Sequence, residues 1–358
     1  MNDRDLRMDR EELASERAVL RGEVDHGPNQ AARATAAARA ALSVGVEAQI
    51  AALRQPDARK RLGELATFGA LWILGGVLVM RGLAMPPGAA HWALRAVGTL
   101  LCALTIHVCL LLLHDGIHHS LFRGRRLNRW ASVALGSASL ISFSAYQVLH
   151  ERHHIYLGDP RDPDDYHNYS GNPRVVWAMH YVRLFLGAFV YILAIPVVAY
   201  RKGTPRDRRR IVQEYAILGI FYAVLAWLVP ATVLVHAWLL PIIPAGLMVN
   251  VRSLAAHGIT DAADPFLASR SIQANPVVAF FLRNENYHLE HHLFPEVPSY
   301  NLRRVHQLVW HRMPRAVGGR SYLGFVARFV RASVRMDDAP IGLTTPAAGA
   351  PAGGVIAG

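Results

Sequence analysis

Long apolar runs alternate along the chain with short basic ones, the pattern of helices that cross a bilayer and return. Leu65 to Met85 is an apolar stretch of about 21 residues, enough for a hydrocarbon core of roughly 30 Å, with Arg81 able to snorkel near its end. Pro86, Pro87 and Gly88 predict a turn. A second run, Ala96 to Leu113, delivers His114 at its end and is followed by Arg123, Arg125, Arg126 and Arg129. By the positive-inside rule that end is cytoplasmic, and Arg54, Arg59, Lys60 and Arg61 place the start of the first span on the same side. The two runs therefore form one hairpin.

The next two apolar segments are weaker. Trp130 to Leu149 is Ser-rich, and Trp177 to Tyr200 carries His180 and Arg183, so neither is a clean span. Arg201 to Arg210 holds six basic residues and is the strongest cytoplasmic marker in the chain. Tyr215 to Val251 is almost continuously apolar, with Pro230 near its middle, and suits a tight helical hairpin supplying spans three and four. The competing reading makes Trp177 to Tyr200 a span and threads Tyr215 to Val251 through once, which leaves the six basic residues outside. The fold expected is all-α and polytopic, with about four transmembrane helices, interfacial helices and a cytosolic histidine-rich cap. Residues 1–61 read as a polar arm, 62–336 as the membrane unit, and 337–358 as a disordered Ala/Gly/Pro tail.

Composition agrees with a membrane protein: 52% of the 358 residues are hydrophobic and 18% charged, with a mean hydropathy of +0.19. The net charge of +12 comes from arginines beside apolar segments, without the interleaved aromatics of a nucleic-acid surface, so the basic faces meet anionic lipid and no nucleic acid is expected. Met1 to Arg61 has no apolar core of a signal peptide, so the first span is expected to stay as an anchor. Cys102 and Cys109, the two cysteines, would lie roughly 10 Å apart on a helix, too far for a disulfide. Without a cysteine cluster there is no thiolate zinc site and no iron–sulfur centre, so electrons for any redox chemistry must come from a separate protein.

The histidines change the picture most. Ten of the eighteen fall in four places: HDGIHH (His114, His118, His119), HERHH (His150, His153, His154), the isolated His257, and HLEHH (His288, His291, His292). On a helix, positions i, i+3 and i+4 share a face, so each HxxHH points three imidazoles at one place, and His114 and His118 pair in the same way. Imidazole ligates iron, zinc, copper and nickel, and eight or nine ligands are too many for one ion. Two metals with four or five nitrogens each fit the count, and two adjacent irons can together reduce O2 to an oxidant that breaks an unactivated C–H bond. Because the boxes lie at the ends of spans, the expected substrate is a lipid or hydrocarbon entering from the bilayer.

HDGIHHSLF, HERHHIYLGDPRDPD and NYHLEHHLFPEVPSY resemble the boxes HxxxH, HxxHH and HxxHH of the membrane fatty acid desaturase family, over about residues 65–315. The resemblance implies a helical membrane enzyme with a di-iron centre on the cytoplasmic face. It would use O2, take electrons from a ferredoxin or cytochrome b5, and insert a double bond into an acyl chain. Similar proteins hydroxylate lipids or oxidise carotenoids instead. Carried over by position, the iron ligands are His114, His118, His150, His153, His154, His288, His291 and His292, and His257 in RSLAAHG matches an additional ligand of the family's pattern. His119 stands where similar proteins often carry Arg and is left outside the set.

Glu151, Glu290 and Asp115 are expected to accept the free imidazole N–H groups. Asp159, Asp162, Asp164 and Asp165 are expected to cap turns around Pro160 and Pro163. His107 and His236 lie inside spans without a partner at helical spacing and are assigned structural roles. His26, His91, His167, His180, His306 and His311 receive none. His150 to His154 also satisfies HExxH of zinc metalloproteases, but such a site needs three ligands and an open water position and leaves the other boxes without work. A metal transporter would hold its site near the bilayer midplane, which these boxes do not occupy.

Overall fold

The computed structural model describes residues 30–157, 162–164, 172–258, 260 and 264–335. The tail at 337–358, and Asp159 and Asp165 of the acidic run, lie outside the described residues. Thirteen helices are described: α1 Gln30–Ser43, α2 Glu47–Leu53, α3 Ala58–Leu83, α4 Ala89–Ile117, α5 Arg125–Ser137, α6 Phe143–Tyr156, α7 Pro173–Lys202, α8 Pro205–Leu228, α9 Ala231–His257, α10 Pro276–Phe281, α11 His288–Leu293, α12 Leu302–Val309 and α13 Tyr322–Arg335. The only strands among the described residues are Ser271–Ile272 and Gly318–Gly319, which pair in parallel. The fold is all-α and polytopic, with five helices (α3, α4, α8, α9 and Tyr181–Lys202 of α7) long and apolar enough to cross a membrane.

Local sequence explains where these helices begin. The Asp57 carboxylate accepts from the amides of Arg59 and Lys60 at the start of α3, and the Ser142 hydroxyl accepts from Ala145 N–H at the start of α6. Thr204 and Asp207 form a reciprocal capping box on α8, with Pro205 in the first turn, where a missing N–H matters least. Helix α4 is the central post: 61% of its apolar window is buried, against 17% for α3, α7 and α8. It meets α3 through small residues. A Cβ on Gly98 would stand 2.6 Å from the Gly75 carbonyl oxygen, so the two backbones approach as close as glycine allows.

The apolar run Tyr215 to Val251 is a hairpin, as its central proline suggests. Helix α8 ends at Leu228, and the rings of Tyr222 and Trp238 lie 5.4 Å apart across the turn. A continuous helix would hold these positions about 24 Å apart along its axis. Trp177 to Tyr200 falls in the 30-residue helix α7, so the apolar helices number five where the hydropathy pattern gave about four. Both ends of the apolar part of α7, Tyr181–Lys202, meet the histidine layer. Arg183 donates to Ser253 Oγ, one turn before His257, while the Lys202 carbonyl accepts from Arg152 Nη2 at 2.9 Å, inside the second box.

Residues 30–61 contribute more than the polar arm drawn for 1–61. Leu42 of α1 and Ile50 of α2 are buried in one cluster with Leu289, Leu293 and Phe294 of the third box, and Arg39 Nε donates to the Leu293 carbonyl at 2.6 Å.

Candidate metal centre

The nine histidines singled out in the sequence come together as two adjoining groups. His114, His118, His150, His154 and His291 form one, and His153, His257 and His292 the other, each with ligand atoms within 4.8 Å of one another. His288 joins the second group, its Nε2 3.0 Å from that of His257. Helix geometry makes the division. On α6, His150 and His154 are one full turn apart and face the first group, while His153 is rotated toward the second. On α11, His291 faces one group and His288 and His292 the other.

The nitrogens converge tip to tip. Nε2 of His150 is 3.0 Å from those of His118 and His154, His154 is 3.1 Å from His291, and His257 is 3.2 Å from His292. Nitrogens bound about 2.1 Å from one octahedral ion would stand about 3.0 Å apart along each edge, so the spacing fits a first-row metal ion in each group. Both ring nitrogens of His114 are buried without a hydrogen-bond partner, a cost that a bound cation removes at one of them. Burial, reinforced by the neighbouring imidazoles, pushes His118, His150, His154, His291 and His292 well below the ordinary histidine value, and His288 down to about 4. Neutral imidazole is the form that ligates metal.

The carboxylates that hold the imidazoles differ from those expected. Glu285, which no sequence pattern marked, reaches both groups: Oε1 lies 3.5 Å from His114 Nδ1 and Oε2 accepts from His288 Nδ1 at 3.3 Å. Burial alone would raise its carboxyl, but His114 and His288 hold it well below the usual range. Its signal was present as Glu three residues before His288, an i, i+3 pair. Asp162 accepts from His153 Nδ1 at 3.1 Å on each oxygen, and also caps Asp164 N–H, which is the turn role predicted for it. Burial works against a charge on His153, yet this carboxylate wins and keeps its imidazole above the ordinary value.

The three carboxylates expected in that role are engaged elsewhere. Glu151 accepts from Gln147 Nε2. Glu290 is fully buried and holds Ser271 Oγ and His306 Nδ1, which gives His306 a place the sequence did not suggest. Asp115 binds Arg61 and takes Ser299 N–H and Oγ–H at 3.1 and 2.6 Å, tying the first box to the turn after the third. Arg61 also donates to Glu64, whose other oxygen meets Arg283, so an ionic chain from α3 reaches the loop carrying Glu285. His119 is exposed, in the left-handed region at φ 56°, and lies outside both groups. His107 is buried on α4, before His114 in the chain, and His236 is half-buried with Nδ1–H donating to Thr232 O.

A cavity of about 310 Å3 opens against the groups, with His114, His150, His153, His257 and His288 in its wall. Leu149, Ala194, Ile195 and Val198 make much of the remainder apolar. A wall of this kind suits an apolar ligand.

Apolar helices bearing a buried histidine cluster of metal-binding composition define a polytopic membrane protein with a site at its helix ends. The chain belongs to the fatty acid desaturase family: the family model described as Fatty acid desaturase matches residues 90–324. Among curated relatives, it is 22% identical over 221 residues to an sn-1 oleoyl-lipid 12-desaturase of Synechocystis sp., covering 54% of this chain and 62% of that protein. The chain thus spans less than two thirds of that relative's length. It is 28% identical over 272 residues to the sphingolipid delta(4)-desaturase/C4-monooxygenase DES2 of Homo sapiens, covering 72% of this chain and 76% of that protein. The matched residues include all nine histidines of the two groups.

Proposed function

We propose that the chain is an O2-dependent di-iron lipid desaturase. In this reading His114, His118, His150, His154 and His291 hold one iron, and His153, His257, His288 and His292 the other. The observation that carries it is the division of nine histidines, six buried and three half-buried, into two groups at metal-ligand spacing. A pair of irons bound there supplies the reduction of O2 to an oxidant able to take hydrogen from an unactivated C–H bond.

The chain's own residues do the rest. Glu285 and Asp162 keep a proton on Nδ1 of His288 and His153, so that each Nε2 lone pair faces inward. The apolar cavity wall holds the hydrocarbon beside the imidazoles and keeps bulk water away. Desaturation takes two hydrogens from adjacent carbons and converts O2, two further electrons and two protons to two waters. The two cysteines are buried and free, so the electrons come from a separate carrier of the ferredoxin or cytochrome b5 type. Hydroxylation is the second reading, favoured by the C4-monooxygenase in the name of the human relative. It begins with the same hydrogen abstraction and ends with oxygen returned to carbon.

The membrane arrangement follows from the same elements. We read α3, α4, α8 and α9 as four crossings and α7 as a helix lying beneath the site, because both ends of its apolar part, at Arg183 and Lys202, meet the histidine layer. Two crossings then separate the second box from His257, which keeps all the boxes on the face that carries Arg123, Arg125, Arg126 and Arg201–Arg210. By the positive-inside rule that face is cytoplasmic. Metal analysis of purified protein tests the reading: about two irons per chain are expected, with O2-dependent change in the lipids of expressing cells. One zinc per chain would indicate a protease, and little metal with ion flux in vesicles a transporter.

A further inference from the structure

The cavity wall contains polar groups that its apolar character does not explain. Asn250 and Arg252 lie on α9, inside an apolar helix, where ionisable and amide side chains carry a high desolvation cost. Asn250 is 3% exposed; its Oδ1 accepts from Ala188 N–H at 2.7 Å, and its Nδ2 has no partner. Arg252 Nε and Nη1 are likewise buried without a hydrogen bond, and Nη1 stands 3.8 Å from Glu285 Oε2, beyond hydrogen-bond reach. Beside them Arg183 donates to Ser253 Oγ, which leaves the serine hydroxyl hydrogen to point elsewhere. The three unpartnered atoms are all donors, so their complement is an oxygen acceptor.

We propose that this wall binds the polar end of the lipid substrate, Arg252 and Asn250 donating to the oxygens of a carboxylate or acyl carbonyl, so that oxidation occurs close to that end. The inference rests on the cavity being the lipid site proposed above. Arg252 and Asn250 precede His257 on the same helix, which puts them about 7 to 10 Å from it along the axis. With C–C bonds of about 1.5 Å, the carbon facing the histidines then lies within on the order of eight carbons of the polar end. A guanidinium paired with an amide N–H is suited to an acyl oxygen, since Arg presents a planar set of donors. The rest of the hydrocarbon lies along the apolar wall and extends into the bilayer.

Binding to the full chain in lipid nanodiscs tests this with labelled palmitate, using hexadecane as the same chain without a head. Palmitate is expected to bind saturably, and hexadecane is expected not to displace it at tenfold excess. Asn250→Asp keeps the oxygen that caps Ala188 N–H but replaces the free donor with an acceptor, and Arg252→Met removes the guanidinium at similar length. Each is expected to weaken palmitate binding by about tenfold or more, the scale of one lost hydrogen bond to a charged group. Should Arg252→Met fail to fold, Asn250→Asp carries the test alone. Equal binding of hexadecane, or unchanged palmitate binding in the folded variants, overturns the inference. Mass spectrometric location of the new double bond or hydroxyl in cell lipids gives a second reading: a product more than about ten carbons from the polar end also overturns it. In that case lipid oxidation itself stands, whereas a protein that changes no lipid and binds no palmitate refutes the proposed function instead.

Discussion

Nε2 of His154 lies 3.1 Å from Nε2 of His291, so the second and third histidine boxes meet tip to tip although they belong to helices far apart in sequence. Two neutral imidazoles can share at most one proton across such a contact, and His154 makes the same approach to His150. A cation satisfies all of these lone pairs at once. His291→Ala is therefore expected to leave the protein in the membrane, to lower bound iron by about one ion per chain, and to reduce lipid oxidation by at least about 100-fold. Metal analysis and lipid profiling check it, and full activity in the variant would remove His291 from the site.

Glu285 contacts an imidazole of each group, so its loss should be felt by both. Glu285→Gln preserves shape and can still accept from His288 Nδ1, but it removes the negative charge that faces both imidazoles and turns an amide N–H2 toward His114 Nδ1. Iron affinity is expected to fall by about 10- to 100-fold, as for other residues that orient metal ligands. Competition with a graded series of chelators measures it. An unchanged affinity would make Glu285 a neutral filler.

The buried imidazoles also make the metal-free protein acid-sensitive. His118, His150, His154, His291 and His292 have pKa values held well below 6.5 by burial, and His288 is pushed to about 4. Between those values and about 6.5 the unfolded chain binds more protons than the folded one, so stability falls as pH drops through that window and is fully recovered above it. His153, raised by Asp162, acts in the opposite sense, with stability present below about 6.5 and lost as pH rises through its folded value. One group opposes six, so the Tm of the metal-free protein is expected to rise from pH 5 to pH 7. A flat or falling Tm would show that the imidazoles are solvated.

The contact between α3 and α4 gives a test of packing. Gly98→Ala places a Cβ against the backbone of Gly75 and Val79, neither of which can rotate away, and is expected to destabilise by about 1–3 kcal/mol. Gly63, on the same α3, has open space within 4 Å of where a Cβ would stand, so Gly63→Ala is expected to stabilise by about 0.5–1 kcal/mol through lower chain entropy. Thermal unfolding in one detergent compares the two. Equal effects would mean that the helices do not touch there.

Much of the candidate site was legible because its histidines follow helical periodicity. The spacing of His150, His153 and His154 fixes their common face, and the count of nine fixes the number of groups. What the spacing could not give was the division, since neighbours on one box turn toward different groups only once α6 and α11 are packed. Glu285 was overlooked because its i, i+3 spacing to His288 falls on a turn before α11, where Arg283 and Asn284 both adopt positive φ, and not on a helix face. The chain of Arg61, Asp115 and Ser299 joins three distant segments, and nothing local marks it. Helix α7 was ambiguous for a physical reason: its part Tyr181–Lys202 is apolar enough to cross, and contacts at Arg183 and Lys202 lay that part beside the boxes.

That ambiguity can be tested from outside. Gly203 is a poor place for a probe, because it is buried and a Cβ there would stand 2.8 Å from the Ala199 carbonyl. Arg206 is exposed in the first turn of α8, other basic residues of the same segment flank it, and Cys102 and Cys109 are buried, so Arg206→Cys supplies one reactive thiol. If α7 lies beneath the site and α8 and α9 form the second pair of crossings, an impermeant maleimide labels this thiol in inside-out vesicles and leaves it untouched in intact cells. Labelling of intact cells would make α7 a crossing and move six basic residues to the outer face, against the positive-inside rule.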